Sequence, residues 1–203
     1  MALSRPTNSS GPPPSQSGGR RFGERLGYAL LVVGLMLAAM WVVEVLDTFA
    51  LDERLEREGI HPRRIDGLDG VLWAPFLHGG WAHLIGNSMP FAVLGVLTFF
   101  HGRRRGWMVV AVVISAGGLL TWVLARSGNH IGASGLVFGL LGYLLAAALF
   151  ARRLREVATA ILAGLLYGGL VWGFLPSPGV SWESHVFGFA AGVGSAYALG
   201  RDK

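Results

Sequence analysis

A serine at position 134 stands where the apolar run "HIGASGLVFGLLGYLL" begins, and a histidine at 185 stands in a second run, "SWESHVFGFAAGVGSAYALG". A hydroxyl beside an imidazole is the pair that nucleophilic catalysis needs. The ring takes the proton and the oxygen attacks a carbonyl carbon. His83 and Asn87, in "HLIGN", are four apart and so share one helical face. Both can donate hydrogen bonds, and two donors aimed at a developing oxyanion stabilise a tetrahedral intermediate. The backbone amide of Ser134 is a third donor, because first-turn amides lack an intrahelical acceptor.

The elements that carry these residues are set by composition. Of 203 residues, 52% are hydrophobic and 14% charged, against about 25% charged in a soluble domain. Long uncharged runs imply membrane spans of roughly 20 residues each. Six are expected: Tyr28 to Leu46, Trp81 to Phe100, Trp107 to Leu124, Ser134 to Phe150, Val157 to Leu175, and Ser184 to Leu199. The fold class is therefore an all-α, six-span membrane bundle. Residues 1–22, rich in Pro, Gly and Ser, are expected to form a disordered tail, leaving 23–203 as the membrane domain.

Basic clusters alternate along the chain and give the orientation. Arg20, Arg21 and Arg25 precede the first span, and Arg103 to Arg105 join the second and third. Arg152, Arg153 and Arg155 join the fourth and fifth, and Arg201 and Lys203 follow the sixth. All fall on one side if both termini are cytoplasmic. This pattern explains the net charge of +5 without nucleic acid as a partner. The long loop from Thr48 to Gly80 lies on the other side. Its Trp73, Phe76 and Leu77 point to partial embedding in the membrane interface. The second, fourth and sixth spans then start from that same outer side, so His83, Ser134 and His185 reach one depth through topology alone.

Lateral contact has its own signal. Gly188 and Gly192 lie three and seven residues after His185, and Gly135 and Gly139 follow Ser134. Small residues at this spacing let membrane helices pack backbone to backbone. The fourth and sixth spans are expected to be neighbours, which brings Ser134 to His185. Glu183, two residues before His185, is on the wrong face for a third, acidic member.

Together "GASGLVFGLLGY", "HLIGN" and "SHVFGFAAG" resemble the motifs of the rhomboid intramembrane serine proteases, over about Trp73 to Gly192. The resemblance implies a Ser134–His185 dyad without an acid, an oxyanion site drawn from His83, Asn87 and backbone amides, and transmembrane proteins as substrates. It places Phe138, four residues after the serine, where some relatives carry a tyrosine packed on the histidine, and it matches Tyr143 to a second aromatic position. "APFLHGGWAH", with His78 five residues before His83, also looks like the family's. The active site is expected to open to the extracytoplasmic face of the cell membrane.

Other readings of these residues compete. Ser134 also suits a helix N-cap, His83 and Asn87 suit interhelical hydrogen bonding, and His78 and His130 suit loop contacts. The absence of cysteine removes thiolate chemistry, no His-Glu-x-x-His supplies a zinc site, and no aspartate lies within a span. The chemistry requires no metal or cofactor. The rival from another class is an inactive rhomboid-like protein that binds membrane clients; a small transporter would need charged mid-membrane residues that are lacking.

Overall fold

The computed structural model describes residues 17–151 and 153–200. Arg152, Arg201 and Lys203, three of the expected orientation signals, and residues 1–16 of the expected tail lie outside them. The described residues form helices joined by loops, with no named strand among them. The first helix, α1, covers Ser17–Ala50. It therefore takes in residues 17–22 of the expected tail. Arg20 pairs with Glu24 one turn on, and Phe22 packs edge to face on Phe100 at 5.1 Å.

After a loop with a four-residue helix α2 at Gly70–Trp73, α3 runs Trp81–Phe100. The next apolar segment is α4, Arg103–Val112, a π-helical turn over Val113–Gly117, and α5, Gly118–Leu124. α6 covers Ser134–Ala151. α7 covers Leu154–Tyr167 and tightens into a 3₁₀ stretch at Gly168–Phe174. α8, Trp182–Gly200, ends the described chain. Among the described residues, five segments are long and apolar enough to cross a membrane: Gly19–Ala50, Trp81–Phe100, Arg103–Leu124, Ser134–Ala151 and Leu154–Phe174. Their outward leucines, among them Leu35, Leu149 and Leu165, are exposed, as a lipid-facing surface requires. The chain is an integral membrane protein.

α6 is the centre of the bundle: two thirds of its apolar window (67%) is buried, against 17% for Leu154–Phe174. Its glycines decide its neighbour. A Cβ on Gly188 would strike the carbonyl of Gly135, and one on Gly192 would strike the carbonyl of Gly139. Backbones this close leave no room for a side chain at Gly188 or Gly192. The π-helical turn completes the layer, since a Cβ on Gly117 would sit 3.2 Å from the Gly188 Cα.

The long loop is pinned rather than loose. Ile60 and His130 exchange both backbone hydrogen bonds at 3.0 Å, and the Gly132 amide donates to the Ala74 carbonyl at 2.9 Å. Asp47 at the end of α1 accepts from the amides of Leu55 and Glu56. Within that loop Leu72 and Trp73 project outward while Leu77 is buried. Of the three residues expected at an interface, Trp73 is exposed, Phe76 half-buried and Leu77 buried.

Candidate active site

Three helices of the same direction begin beside one another and set the site. His83 is the third residue of α3, Ser134 the first of α6 and His185 the fourth of α8. Ser134 Oγ and His185 Nε2 are 2.8 Å apart. The other ring nitrogen, Nδ1, lies 2.7 Å from the Gly173 carbonyl. A carbonyl can only accept, so Nδ1 carries the proton and Nε2 has the lone pair. The serine hydroxyl therefore donates to Nε2, which is the direction general-base catalysis needs.

The ring is fixed from its flat side too. Phe138 stacks on His185 with centroids 4.2 Å apart and planes 3° apart, and Phe174 meets Phe138 edge on at 4.9 Å. The four-residue step from Ser134 places Phe138 on the serine's helical face. Glu183 points elsewhere: it accepts from the Arg126 amide at 3.3 Å and pairs with that guanidinium at 3.5 Å.

Opposite the serine lies the α3 pair. The Gly79 amide donates to His83 Nδ1 at 3.3 Å, which leaves His83 Nε2 as the protonated nitrogen. A Cβ on Gly132 would fall 2.6 Å from that Nε2 and 3.6 Å from Asn87 Nδ2. Both donors thus converge on the backbone two residues before Ser134. Gly132 has φ of +107°, a conformation that favours glycine. The amides of Gly132 and Ala133 are already spent, on Ala74 and on His78 Nε2 at 3.3 Å. That of Ser134 opens α6 and has no intrahelical acceptor. His83, Asn87, Ser134 and His185 all border one cavity of about 570 Å³, completed by Gly86, Asn129 and Ser181.

Tyr143, which the resemblance matches to a second aromatic position, lies nine residues along α6, about 13 Å from Ser134 at 1.5 Å per residue. Its hydroxyl meets His101 Nδ1 at 3.1 Å, and His101 Nε2 meets Thr159 Oγ1 at 2.9 Å. It is fully buried in a polar cluster at the other end of the bundle.

Two contributors have roles that the sequence motifs do not reveal. Gly173 supplies the carbonyl that sets the His185 tautomer, and a Cβ there would fall 2.6 Å from the Phe138 ring and 3.3 Å from His185 Nδ1. No signal in the sequence separates it from Gly168 and Gly169, which face open space. His78, 2% exposed, holds the amide preceding the serine. Its spacing from His83 was visible, but not its partner. Burial pushes His78 down to about 4, with His83 beside it acting in the same direction. It stays neutral and able to accept at neutral pH. Among the described residues no cluster of metal-ligating side chains occurs.

The sequence profile of the Rhomboid domain matches residues 68–202. The chain is 37% identical to Uncharacterized protein Rv1337 of Mycobacterium tuberculosis, across 98% of this chain and 85% of that one. It is 37% identical to Uncharacterized protein ML1171 of Mycobacterium leprae, across 80% of this chain and 68% of that one. It is 32% identical to RHOMBOID-like protein 4 of Arabidopsis thaliana, across 64% of this chain and 33% of that longer protein. A domain match that contains all three helix starts of the site, together with a likeness running nearly end to end, assigns the chain to the rhomboid family.

Proposed function

We propose that the chain is an intramembrane serine endopeptidase that cleaves transmembrane or membrane-proximal segments of other membrane proteins. The observation that carries this is the 2.8 Å contact between Ser134 Oγ and His185 Nε2, with the imidazole tautomer set by the Gly173 carbonyl. In this reading Ser134 attacks the peptide carbonyl carbon and its proton passes to Nε2. His83 Nε2, Asn87 Nδ2 and the Ser134 amide stabilise the oxyanion. Collapse breaks the C–N bond, and His185 returns the proton to the leaving amine. Water in the polar cavity then attacks the acyl-enzyme, with His185 again as base. A helical substrate must unwind locally before attack, because its carbonyls are already hydrogen-bonded.

The same proposal makes α8 a sixth span, with both termini cytoplasmic and the cavity opening extracytoplasmically from the cell membrane. Glu183, Ser184, His185 and four glycines dilute the apolar content of α8, but its backbone contact with α6 holds it inside the bundle. The alternative is an inactive rhomboid-like protein that binds clients. It shares the fold but needs no activated hydroxyl.

A fluorophosphonate probe separates the two. Purified chain in detergent should gain one covalent adduct, located at Ser134 by peptide mass spectrometry, and the His185→Ala variant should gain it far more slowly. An unreactive Ser134 in folded protein supports the client-binding reading.

A further inference from the structure

Arg21, Arg25 and Arg103 line a cleft of about 320 Å³ between the start of α1 and the turn from α3 to α4, with Glu24 and Gly102 completing its wall. The carboxylate there is already engaged, since Glu24 pairs with Arg20 at 3.3 Å. Arg21 and Arg25 are four apart and share a helical face, and no carboxylate pairs with either among the described residues. Arg103 lies over the Tyr28 ring, 4.2 Å from its centroid. That contact orients the guanidinium without neutralising it. Three like charges in one cleft repel one another, and a bound anion relieves this.

The surroundings narrow the anion. Tyr28 accepts a hydrogen bond from Trp107 Nε1 at 3.0 Å, and aromatic residues at the start of apolar helices mark headgroup level. Leu31 and Leu35, three and seven residues after Tyr28, continue its face along α1 and are exposed. A ligand with a phosphate at one end and hydrocarbon at the other matches both parts.

We propose that this cleft binds the phosphate of an anionic phospholipid whose acyl chains lie along Leu31 and Leu35. A phosphatidylglycerol headgroup adds no cation to the site. Phosphatidylcholine brings a quaternary ammonium close to three guanidinium groups, and free phosphate forgoes the apolar contact. Basic pockets between helix ends at the membrane surface commonly hold anionic headgroups. The binding is independent of the proposed proteolysis.

The test uses full-length protein exchanged into mixed phosphatidylglycerol and phosphatidylcholine micelles, with retained lipid read by native mass spectrometry. Wild type is expected to retain phosphatidylglycerol preferentially. The triple variant Arg21→Gln, Arg25→Gln, Arg103→Gln should lose at least about tenfold of that preference, while Arg104→Gln, next to Arg103 in the first turn of α4 but outside the cleft, keeps it. These arginines are exposed, and thermal unfolding in neutral detergent checks each variant's fold. The single variant Arg25→Gln should show a smaller loss in the same direction. The proposal is overturned if the triple variant retains the lipid like wild type, if Arg104→Gln loses as much, or if glycerol 3-phosphate displaces the lipid at equal concentration.

Discussion

His185 Nδ1–H donates a hydrogen bond to the Gly173 carbonyl at 2.7 Å and so turns a bare Nε2 toward Ser134 at 2.8 Å. The proposed base is thus oriented by a backbone group at the C-terminal end of the α7 segment, where a carboxylate would serve in a three-member triad. A carbonyl fixes the tautomer but brings no charge. It also ties the competence of His185 to the position of Gly173–Phe174, in the least enclosed of the five apolar segments.

Gly173→Ala is expected to lower turnover without unfolding the protein. The new methyl group must displace the Phe138 ring or His185, and a misplacement of about 1 Å can cost about a hundredfold in rate. Gly169→Ala, which meets nothing, should stay near wild type. Turnover of a model membrane substrate by both variants checks this, and equal activity contradicts the tight packing of Gly173 on Phe138 and His185.

Asn87→Ala and His83→Ala should each reduce turnover more than substrate affinity. An oxyanion donor acts in the transition state, and losing one typically costs about 10² to 10³ in rate. Separate kcat and KM values decide the matter. A raised KM with unchanged kcat would move the pair to substrate binding.

Gly188→Ala and Gly192→Ala should destabilise the bundle, each by about 1–3 kcal/mol or more, because the added carbon meets backbone that cannot rotate away. Gly194→Ala on the same helix meets nothing and should be neutral or slightly stabilising through helix propensity. Unfolding in graded denaturing detergent ranks the three. Equal stability contradicts the close α6–α8 contact.

Stability should fall as pH drops from 6.5 toward 4. Burial pushes both His78 and His101 from 6.5 down to about 4, with His83 adding to the effect at the first and Arg155 at the second. Between those values the unfolded chain binds more protons than the folded one, so stability rises with pH through this window and is complete above it. The contribution is on the order of 3 kcal/mol per histidine. His78→Gln and His101→Gln should each flatten the profile measured by thermal unfolding. A flat wild-type profile contradicts the assignment.

The parts of the site that sequence alone made legible share one property: each is written in local spacing. The step from His83 to Asn87, the glycines after Ser134 and His185, and the order of the apolar segments fix helix faces and which helix starts lie together. From those the approach of α6 to α8 follows. What stayed hidden depends on partners far apart in the chain. Gly173 is one of several glycines near the end of α7 until the fold places its carbonyl on His185. Tyr143 sits at a motif position, yet it meets His101 from a distant loop. His78 looks like a loop histidine until the Ala133 amide reaches it. Pro, Gly and Ser composition points to a tail through residue 22, whereas α1 begins at Ser17, where the contact of Phe22 with Phe100 is not legible in the sequence.

The most direct test of the central claim is cleavage of a single-span membrane substrate by the full chain in liposomes, alongside Ser134→Ala, His185→Ala and the double variant. Cleavage by wild type is expected, with both single variants inactive and the double variant no worse than either, because the two residues act as one unit. Near wild-type turnover by either single variant, or no cleavage by folded wild type of any single-span substrate offered, would contradict the account.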